Sequence, residues 1–183
     1  MLLHLIRPTP SHAEQVLQYK AELTACGEPF DGCAGLEDVR SYSEWLDFPH
    51  RLRAKYGDGY VPSEVFLAIR PRDDHLVGII DFRHPLTPFL LQYGGNIGYN
   101  VRPSERRKGY ASEMLRQMLS ICAAYGETRV LITCAKANAA SRRTILRNGG
   151  VLENEVPDTV GLCSGGAIQR YWIDISGQTR SPA

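Results

Sequence analysis

The chain has 183 residues, a formal net charge of +1, 43% hydrophobic residues and 22% charged residues, an ordinary composition for one globular domain. No apolar run approaches the ~20 residues of a membrane-spanning helix, so no membrane protein is expected. The five cysteines include no CxxC pair of the kind that binds metal. We therefore expect free thiols in a reducing cytoplasm and no metal site.

The charge is distributed unevenly along the chain. Residues 1–101 carry nine basic and thirteen acidic residues, a net of −4, whereas residues 102–147 carry ten and three, a net of +7. This contrast predicts a local anionic ligand rather than a basic surface for nucleic acid. RNA binding is the weaker alternative, because the basic segment has only Tyr110 and Tyr125 for base stacking.

The N-terminal third predicts one strand and two helices. Residues 2–7 read as a strand, and Ser11 is a candidate N-cap for a helix that ends near residue 25. A turn-rich loop follows at 27–35. A second helical pattern runs over 37–56, where Pro49 must break or kink it.

The middle of the chain predicts three strands, at 64–70, 76–82 and 95–101, with a hairpin turn between the first two. Residues 85–93 fit either a short helix or an ordered loop. Ser104 is a candidate cap for the helix that follows.

The best-determined element is that helix, because its apolar residues recur at helical spacing. They are Ala111, Met114, Leu115, Met118, Leu119 and Cys122. The remaining predicted elements are a strand at 129–134, a short helix that Asn138 caps and that ends at Arg147, strands at 151–156 and 167–175, and a frayed tail at 176–183. This order predicts a mixed sheet flanked by helices, an α/β (α+β) fold.

The segment Arg106-Arg107-Lys108-Gly109-Tyr110-Ala111 lies between a predicted strand and this helix. Amides at a helix start, together with guanidinium groups and small residues, suit a pyrophosphate. The alternative is a solvated basic turn. The GxxxxGK[ST] spacing of a P-loop and the GxGxxG spacing of a Rossmann fingerprint are both absent.

With its context, this segment resembles the pyrophosphate loop of the Gcn5-related N-acetyltransferase (GNAT) superfamily, which reads Gln/Arg-x-x-Gly-x-Gly/Ala. Asn138-Ala139-Ala140-Ser141 and Asn148-Gly149-Gly150 also match that superfamily. The stretch 94–156 resembles a bacterial subgroup of it.

The resemblance implies an N-acetyltransferase with a mostly antiparallel sheet of six to seven strands and acetyl-CoA as donor. A splayed parallel pair, 95–101 and 129–134, would form the cofactor cleft. Residues 1–175 would make one domain, with 1–63 on the acceptor side and 64–156 holding the cofactor. The implied cofactor contacts are Tyr99, Asn100, Val101, Arg106, Arg107, Lys108, Gly109, Tyr110, Ala111, Asn138 and Ser141.

Some of these residues keep two interpretations. Asn138 would serve as a helix cap, as a cofactor contact, or as both. Arg142 and Arg143 would meet the 3′-phosphate end of the cofactor or form a solvated helix face.

The expected chemistry is direct attack of an amine on the thioester. Many superfamily members have a Tyr seven residues after the Asn, where this chain has Ile145. Ser141 is therefore the first candidate for protonating the thiolate, and Tyr171 is the second. His84, Asp81 and Glu64 are candidate bases, and water chains are the alternative.

The acceptor pocket is expected from residues 27–63 and 156–170. The acids of the first segment suit a cationic amine, although surplus acids on a solvated helix are the commoner explanation. The acceptor is predicted to be a small-molecule amine or a peptide or protein amine, with no nucleic-acid or membrane partner. A non-catalytic acyl-CoA sensor is the alternative, and exposed edge strands make a homodimer an open possibility.

Overall fold

The structure is a computed structural model that describes residues 2–163 and 166–178. The strands in these residues are β1 (His4–Ile6), β2 (Ser63–Arg70), β3 (His75–Arg83), β4 (Ile97–Val101), β5 (Arg129–Ala135), β6 (Val151–Pro157) and β7 (Ala167–Asp174). The helices are α1 (Ala13–Ala25), α2 (Tyr42–Leu46), α3 (Phe48–Tyr56), α4 (Tyr110–Ala124) and α5 (Ala139–Arg147).

The strands form two antiparallel sheets that lie side by side. One has the order β1-β2-β3-β4 and the other the order β5-β7-β6. β4 and β5 meet near their N-terminal ends and then run in the same direction, so they form the expected splayed pair. The predicted fold class is confirmed.

The four-stranded sheet is buried on both faces. One face packs on the apolar stripe of α4, where Met114, Leu115, Met118 and Cys122 are buried as their helical spacing predicts. The other face packs on α1 and α2, with Trp45 fully buried at its centre. The N-terminal helices and α4 therefore lie on opposite sides of β4.

The helical pattern over 37–56 forms two helices, so the break predicted near Pro49 is confirmed, although the first helix begins only at Tyr42. A 3₁₀ turn at Leu36–Asp38 precedes α2, and Pro49 lies in the first turn of α3. Proline is favoured there because the first turn has no intrahelical acceptor for its missing N–H. Pro49 therefore opens a helix instead of interrupting one.

Several predicted boundaries also move. A 3₁₀ turn at Pro10–His12 contains Ser11, so Ser11 is not the cap of α1. Ser104 lies in another 3₁₀ turn, and Gly109 is the N-cap of α4. The ambiguous segment at 85–93 leads into a π-helical turn at Leu90–Gly94. Of the predicted tail, Ser176–Gln178 form a 3₁₀ turn and 179–183 lie outside the described residues.

Candidate active site

A cleft of about 790 Å³ opens between β4 and β5. Its closed end is Asn96, whose backbone N–H donates to the Leu131 carbonyl (2.7 Å) and whose Oδ1 accepts the Leu131 N–H (2.8 Å). Beyond this point no ladder joins the two strands within the described residues. The chain thus leaves two strand edges apart, with unpaired main-chain groups between them.

The pairing of β4 with β3 decides which of these groups face the cleft. Arg83 N–H donates to the Asn96 carbonyl (2.7 Å), and Arg102 N–H donates to the Val77 carbonyl (2.9 Å). Antiparallel pairing alternates between these bonds, so the main chain of Tyr99 and Val101 points into the cleft. An extended ligand could pair with them as an added strand.

The same alternation corrects the expected role of Asn100, whose main chain faces Ile79 of β3. Its buried side chain holds the N-terminal region instead. The Nδ2 group donates to the Pro29 carbonyl (2.7 Å), and Oδ1 accepts from the Tyr19 hydroxyl (3.1 Å). Asn100 lines the cleft but contributes by fixing the loop that crosses it.

The segment from Arg106 to Ala111 forms the open end of the cleft. Arg107 and Gly109 both have left-handed backbones, with φ of +66° and +85°. The first helical hydrogen bond of α4 runs from Glu113 N–H to the Gly109 carbonyl (3.2 Å), so the preceding amides have no intrahelical acceptor. A strained non-glycine residue beside free amides is the geometry of an anion-binding nest.

Arg106 connects this loop to the acceptor side. Its guanidinium donates to both carboxylate oxygens of Glu28 (2.7 and 3.0 Å), and its Nε donates to the Val101 carbonyl (3.1 Å). Hydrogen bonding from Arg106 lowers the pKa of Glu28. Both residues line the cleft, so the pair stands where the two sides of the site meet.

Lys108 is absent from the described cleft lining, in contrast to the expectation for it. Its Nζ donates to Glu105 Oε2 (2.8 Å), which Arg70 Nη1 also contacts (2.7 Å). Burial favours the neutral acid, but the bonds from Lys108 and Arg70 outweigh it and lower the pKa of Glu105. Lys108 thus belongs to an ion-pair cluster under the loop.

Asn138 and Ser141 lie at the start of α5, as the sequence predicts. Asn138 Oδ1 accepts the Ser141 N–H (2.9 Å), so Asn138 caps the helix. The Ser141 hydroxyl lies 2.9 Å from the Tyr99 hydroxyl, and both side chains line the cleft. Burial raises the pKa of Tyr99, so both hydroxyls stay protonated and are able to donate.

Cys134 lies beside this pair in the cleft wall. Burial raises the pKa of its thiol to about 11, although hydrogen bonding with Ser141 opposes the shift. The thiol is therefore a neutral group near Ser141.

Tyr171 and His84 are both absent from the described cleft lining. Tyr171 is buried in the α4-side core, and its hydroxyl donates to Gln169 Oε1 (2.7 Å). The His84 ring stacks on Phe82 (4.6 Å between centroids) and meets Tyr125 edge-on. Packing among aromatic rings accounts for His84, and the structure places neither side chain along the described cleft.

The other two candidate bases are also occupied. Asp81 is buried, and its Oδ1 accepts the Gly98 N–H (2.9 Å); burial raises its pKa, which Arg83 opposes. Glu64 forms an ion pair with Arg7. Both carboxylates therefore stabilise the sheet region and do not line the cleft.

The structure separates the two arginines of α5 that the sequence could not distinguish. Arg143 lines the cleft, and Arg142 does not. Arg147, which the sequence analysis missed, also lines it. The signal was present, because residues four apart share a helix face.

Phe89, Tyr93 and Leu162 line the other end of the cleft and were also missed. Phe89 and Tyr93 lie in or next to the turn whose structure the sequence left open, and their ring centroids are 5.7 Å apart. Their place depends on long-range bonds, such as that from Thr133 Oγ1 to the Tyr93 carbonyl (2.7 Å). This end of the cleft offers an aromatic wall.

Within residues 2–163 and 166–178, no helix is long and apolar enough to span a bilayer. The same residues hold no cluster of three or more His, Cys, Asp or Glu side chains that could bind a metal ion.

A slot with strand edges along its sides and an anion nest at its mouth defines a site for an extended phosphorylated ligand. A family model, the acetyltransferase (GNAT) domain, matches residues 3–151. The chain therefore belongs to the GNAT acetyltransferase family and is an N-acetyltransferase that uses acetyl-CoA.

Three solved structures illustrate the likeness of the fold. RimL, a ribosomal L7/L12 alpha-N-protein acetyltransferase with coenzyme A, is 21% identical with a TM-score of 0.70, over 96% of both chains. RimJ of Mycobacterium smegmatis is 18% identical, with a TM-score of 0.70 over 99% of this chain and 89% of that one. The MccE acetyltransferase, with acetyl-CoA and AMP, is 17% identical, with a TM-score of 0.66 over 95% and 93%. No curated protein sequence matches the chain.

The residues of the cleft fit acetyl-CoA. The main chain of Tyr99 and the N–H of Val101 suit the amides of the pantetheine arm, since Arg106 Nε donates to the Val101 carbonyl. The amides at the start of α4 suit the pyrophosphate. A Cβ atom built on Gly109 has no atom within 4 Å, so the space above the nest is open. Arg107, Arg143 and Arg147 add positive charge along the same cleft.

Proposed function

We propose that this protein transfers the acetyl group of acetyl-CoA to a primary amine by direct attack of the amine on the thioester. The observation that carries the proposal is the anion nest at Arg107 and Gly109, at the mouth of a slot with free strand edges. Acetyl-CoA supplies an activated acyl group, and the protein holds and orients it.

The proposed cofactor contacts are the groups that lie along the cleft between β4 and β5. Main-chain groups of Tyr99 and Val101 would bind the pantetheine arm, and the amides from Arg107 to Ala111 would bind the pyrophosphate. Asn138 and Ser141, at the start of α5, would border the arm. Arg106 would add charge if its bond to Glu28 is exchanged for a phosphate.

Ser141 is the proposed proton donor to the departing thiolate. Its hydroxyl lies in the cleft wall, and the Tyr99 hydroxyl at 2.9 Å could return a proton to it. Ile145, at the position of the tyrosine common in the superfamily, is fully buried in the core. The Ser141 hydroxyl, in the first turn of α5, would therefore protonate the thiolate in place of the superfamily's tyrosine hydroxyl from the second turn.

The proposed acceptor is a peptide, protein or small-molecule amine. RimL is named as an alpha-N-protein acetyltransferase of ribosomal L7/L12, and MccE is in complex with acetyl-CoA and the small molecule AMP, which supports protein and small-molecule acceptors alike. We further propose that 1–175 form one domain with 1–63 on the acceptor side, and that the protein is cytoplasmic. Its five free cysteines suit a reducing compartment. A homodimer stays a prediction.

Calorimetric titration with acetyl-CoA tests the proposal, followed by a screen of primary amines for release of CoA. Micromolar binding, weaker for 3′-dephospho-CoA, and release of CoA with at least one amine are expected. Absence of binding would contradict the cofactor site. Binding without CoA release by any amine would favour the acyl-CoA sensor instead.

A further inference from the structure

Three carboxylates line the cleft: Glu28, Asp31 and Glu105. Two of them are neutralised by the protein, since Glu28 pairs with Arg106 (2.7 Å) and Glu105 with Arg70 (2.7 Å). Among the residues that the structure describes, Asp31 has no ion pair and its carboxylate has no hydrogen-bond partner. A carboxylate that borders a cleft without a partner is available to a ligand.

The backbone around Asp31 is held against β4. Gly32 packs so closely on β4 that a Cβ atom there would lie 2.2 Å from the carbonyl carbon of Gly98. Two residues before Asp31, the Pro29 carbonyl accepts the bond from Asn100 Nδ2 (2.7 Å). These contacts fix Asp31 beside the strand that provides the cofactor edge.

The surroundings of Asp31 also favour proton uptake. Asp31 is exposed at the cleft edge, but desolvation by the surrounding protein raises its pKa, and Arg83 opposes that shift. The other ionisable groups whose pKa the charge of Asp31 influences are Asp81 on β3, Cys33 in its own loop and Glu37. A carboxylate with a raised pKa is a stronger base at neutral pH than an ordinary aspartate.

We propose that Asp31 binds the ammonium group of the acceptor and takes up its proton before transfer. The inference rests on the proposed function and adds the residue that recognises the cationic amine and takes up its proton. One N–H bond of the ammonium breaks and its proton passes to the Asp31 carboxylate. The freed nitrogen then bonds to the acetyl carbon as the carbon–sulfur bond breaks, and the thiolate leaves with the electron pair of that bond. The nitrogen's second proton passes, by way of the Ser141 hydroxyl, to the departing thiolate, which leaves the neutral amide and CoA.

The test compares wild type with Asp31→Asn, which removes the charge and keeps the shape. Asp38→Asn is the matched control, because Asp38 lies on the same N-terminal layer, pairs with Lys55 (3.0 Å) and does not line the cleft. Benzylamine and its neutral analogue benzyl alcohol are titrated calorimetrically into protein saturated with CoA. The aromatic probe is chosen for the Phe89 and Tyr93 wall.

Wild type and D38N are expected to bind benzylamine at least about 10-fold more tightly than benzyl alcohol, and D31N to lose this preference. With the best amine from the screen, kcat/KM of D31N should fall about 100-fold. In the pH profile of wild-type kcat/KM, the rate should fall on the acidic side with an apparent pKa above the usual aspartate range. This acidic fall should be absent in D31N, and Asp31→Glu should restore part of the rate. Acetyl-CoA affinity should be the same in all variants.

Two outcomes overturn the role of Asp31: D31N binds benzylamine as tightly as wild type, or wild type does not prefer the amine over the alcohol. Failure of the proposed function is distinct, because wild type itself would then bind no acetyl-CoA or release no CoA.

Discussion

The two loops that meet at Arg106 and Glu28 are built in opposite ways. The nest at 106–111 takes its shape from its own backbone, with left-handed residues at Arg107 and Gly109 followed directly by α4. The acceptor-side loop at 27–35 takes its shape from distant partners, including Asn100 and Gly98 of β4. One loop is local in sequence, and the other depends on the folded sheet.

This difference also separates their chemistry. The nest exposes amides and cations, which any polyanion of the right shape can use. The acceptor loop presents one free carboxylate against a fixed strand, which selects for a particular charge and position. A family can therefore keep a common donor site while its acceptor loops differ.

The largest expected effect comes from Gly109→Val. A side chain there strains a backbone at φ +85° and projects into the open space above the nest. We expect acetyl-CoA affinity to fall by about 100-fold, measured by calorimetry.

Gly126→Val is the control for that experiment. Gly126 has φ +90°, equally open surroundings and a place just past the other end of α4. Both variants should lose about 1–2 kcal/mol of unfolding free energy, but only Gly109→Val should lose affinity. Equal affinities in the two variants would show that the nest is only a turn.

Arg143→Gln is expected to have the next largest effect. Losing one charged contact should weaken CoA binding by about 10-fold and leave 3′-dephospho-CoA binding unchanged. Arg142→Gln is the control, since Arg142 does not line the cleft. Similar losses in both variants would indicate general electrostatic attraction instead of a phosphate contact.

Asn138→Ala and Ser41→Ala compare a helix cap on the cofactor side with a helix cap on the acceptor side. Ser41 caps α2 on the acceptor side, where its Oγ accepts the Glu44 N–H (3.2 Å). Each alanine variant should lower the free energy of unfolding by about 1 kcal/mol in urea titration. Only Asn138→Ala should also weaken acetyl-CoA binding, by about threefold; an unchanged affinity would leave Asn138 as a cap alone.

The smallest effect concerns acid stability at α4. Hydrogen bonding from Arg116 lowers the pKa of Glu113 to about 2 from its usual 4.5. This stabilisation is therefore complete above pH 4.5 and is lost as the pH falls toward 2. Because Arg116 is largely exposed, the loss should be at most about 1 kcal/mol.

Urea midpoints at pH 7 and pH 3 measure this effect. Glu113→Gln should remove this pH dependence and Arg116→Gln most of it, since Gln117 Nε2 still donates to Glu113 Oε1 (2.8 Å). An acid response in Glu113→Gln as steep as in wild type would place the sensitivity elsewhere, with Glu105 the next group to test.

The predictable parts of the molecule were those specified by short segments. The helical stripe of α4, the cap at Asn138 and the strand before the nest follow from spacing and residue type, so the fold class was correct. Pro49 correctly indicated a break in the helix, but one residue does not show that it also lies in the first turn of the next helix. Asn100, Tyr93 and His84 could not be placed, because each also contacts a partner far away in the chain: Pro29, Thr133 and Tyr125 respectively.

Asn96 acts as the fixed point from which β4 and β5 diverge. Its backbone and side chain hold β4 to β5 at one point, and its Nδ2 also donates to the Arg83 carbonyl (3.0 Å). The five residues from there to Val101 form an arm of roughly 17 Å. A rotation of ~3° at Asn96 would therefore move the far edge of the slot by ~1 Å, about a third of a strand residue's rise. The buried side-chain and backbone amides of Asn96 therefore fix the angle at which β4 and β5 diverge, and this angle sets the width of the donor site.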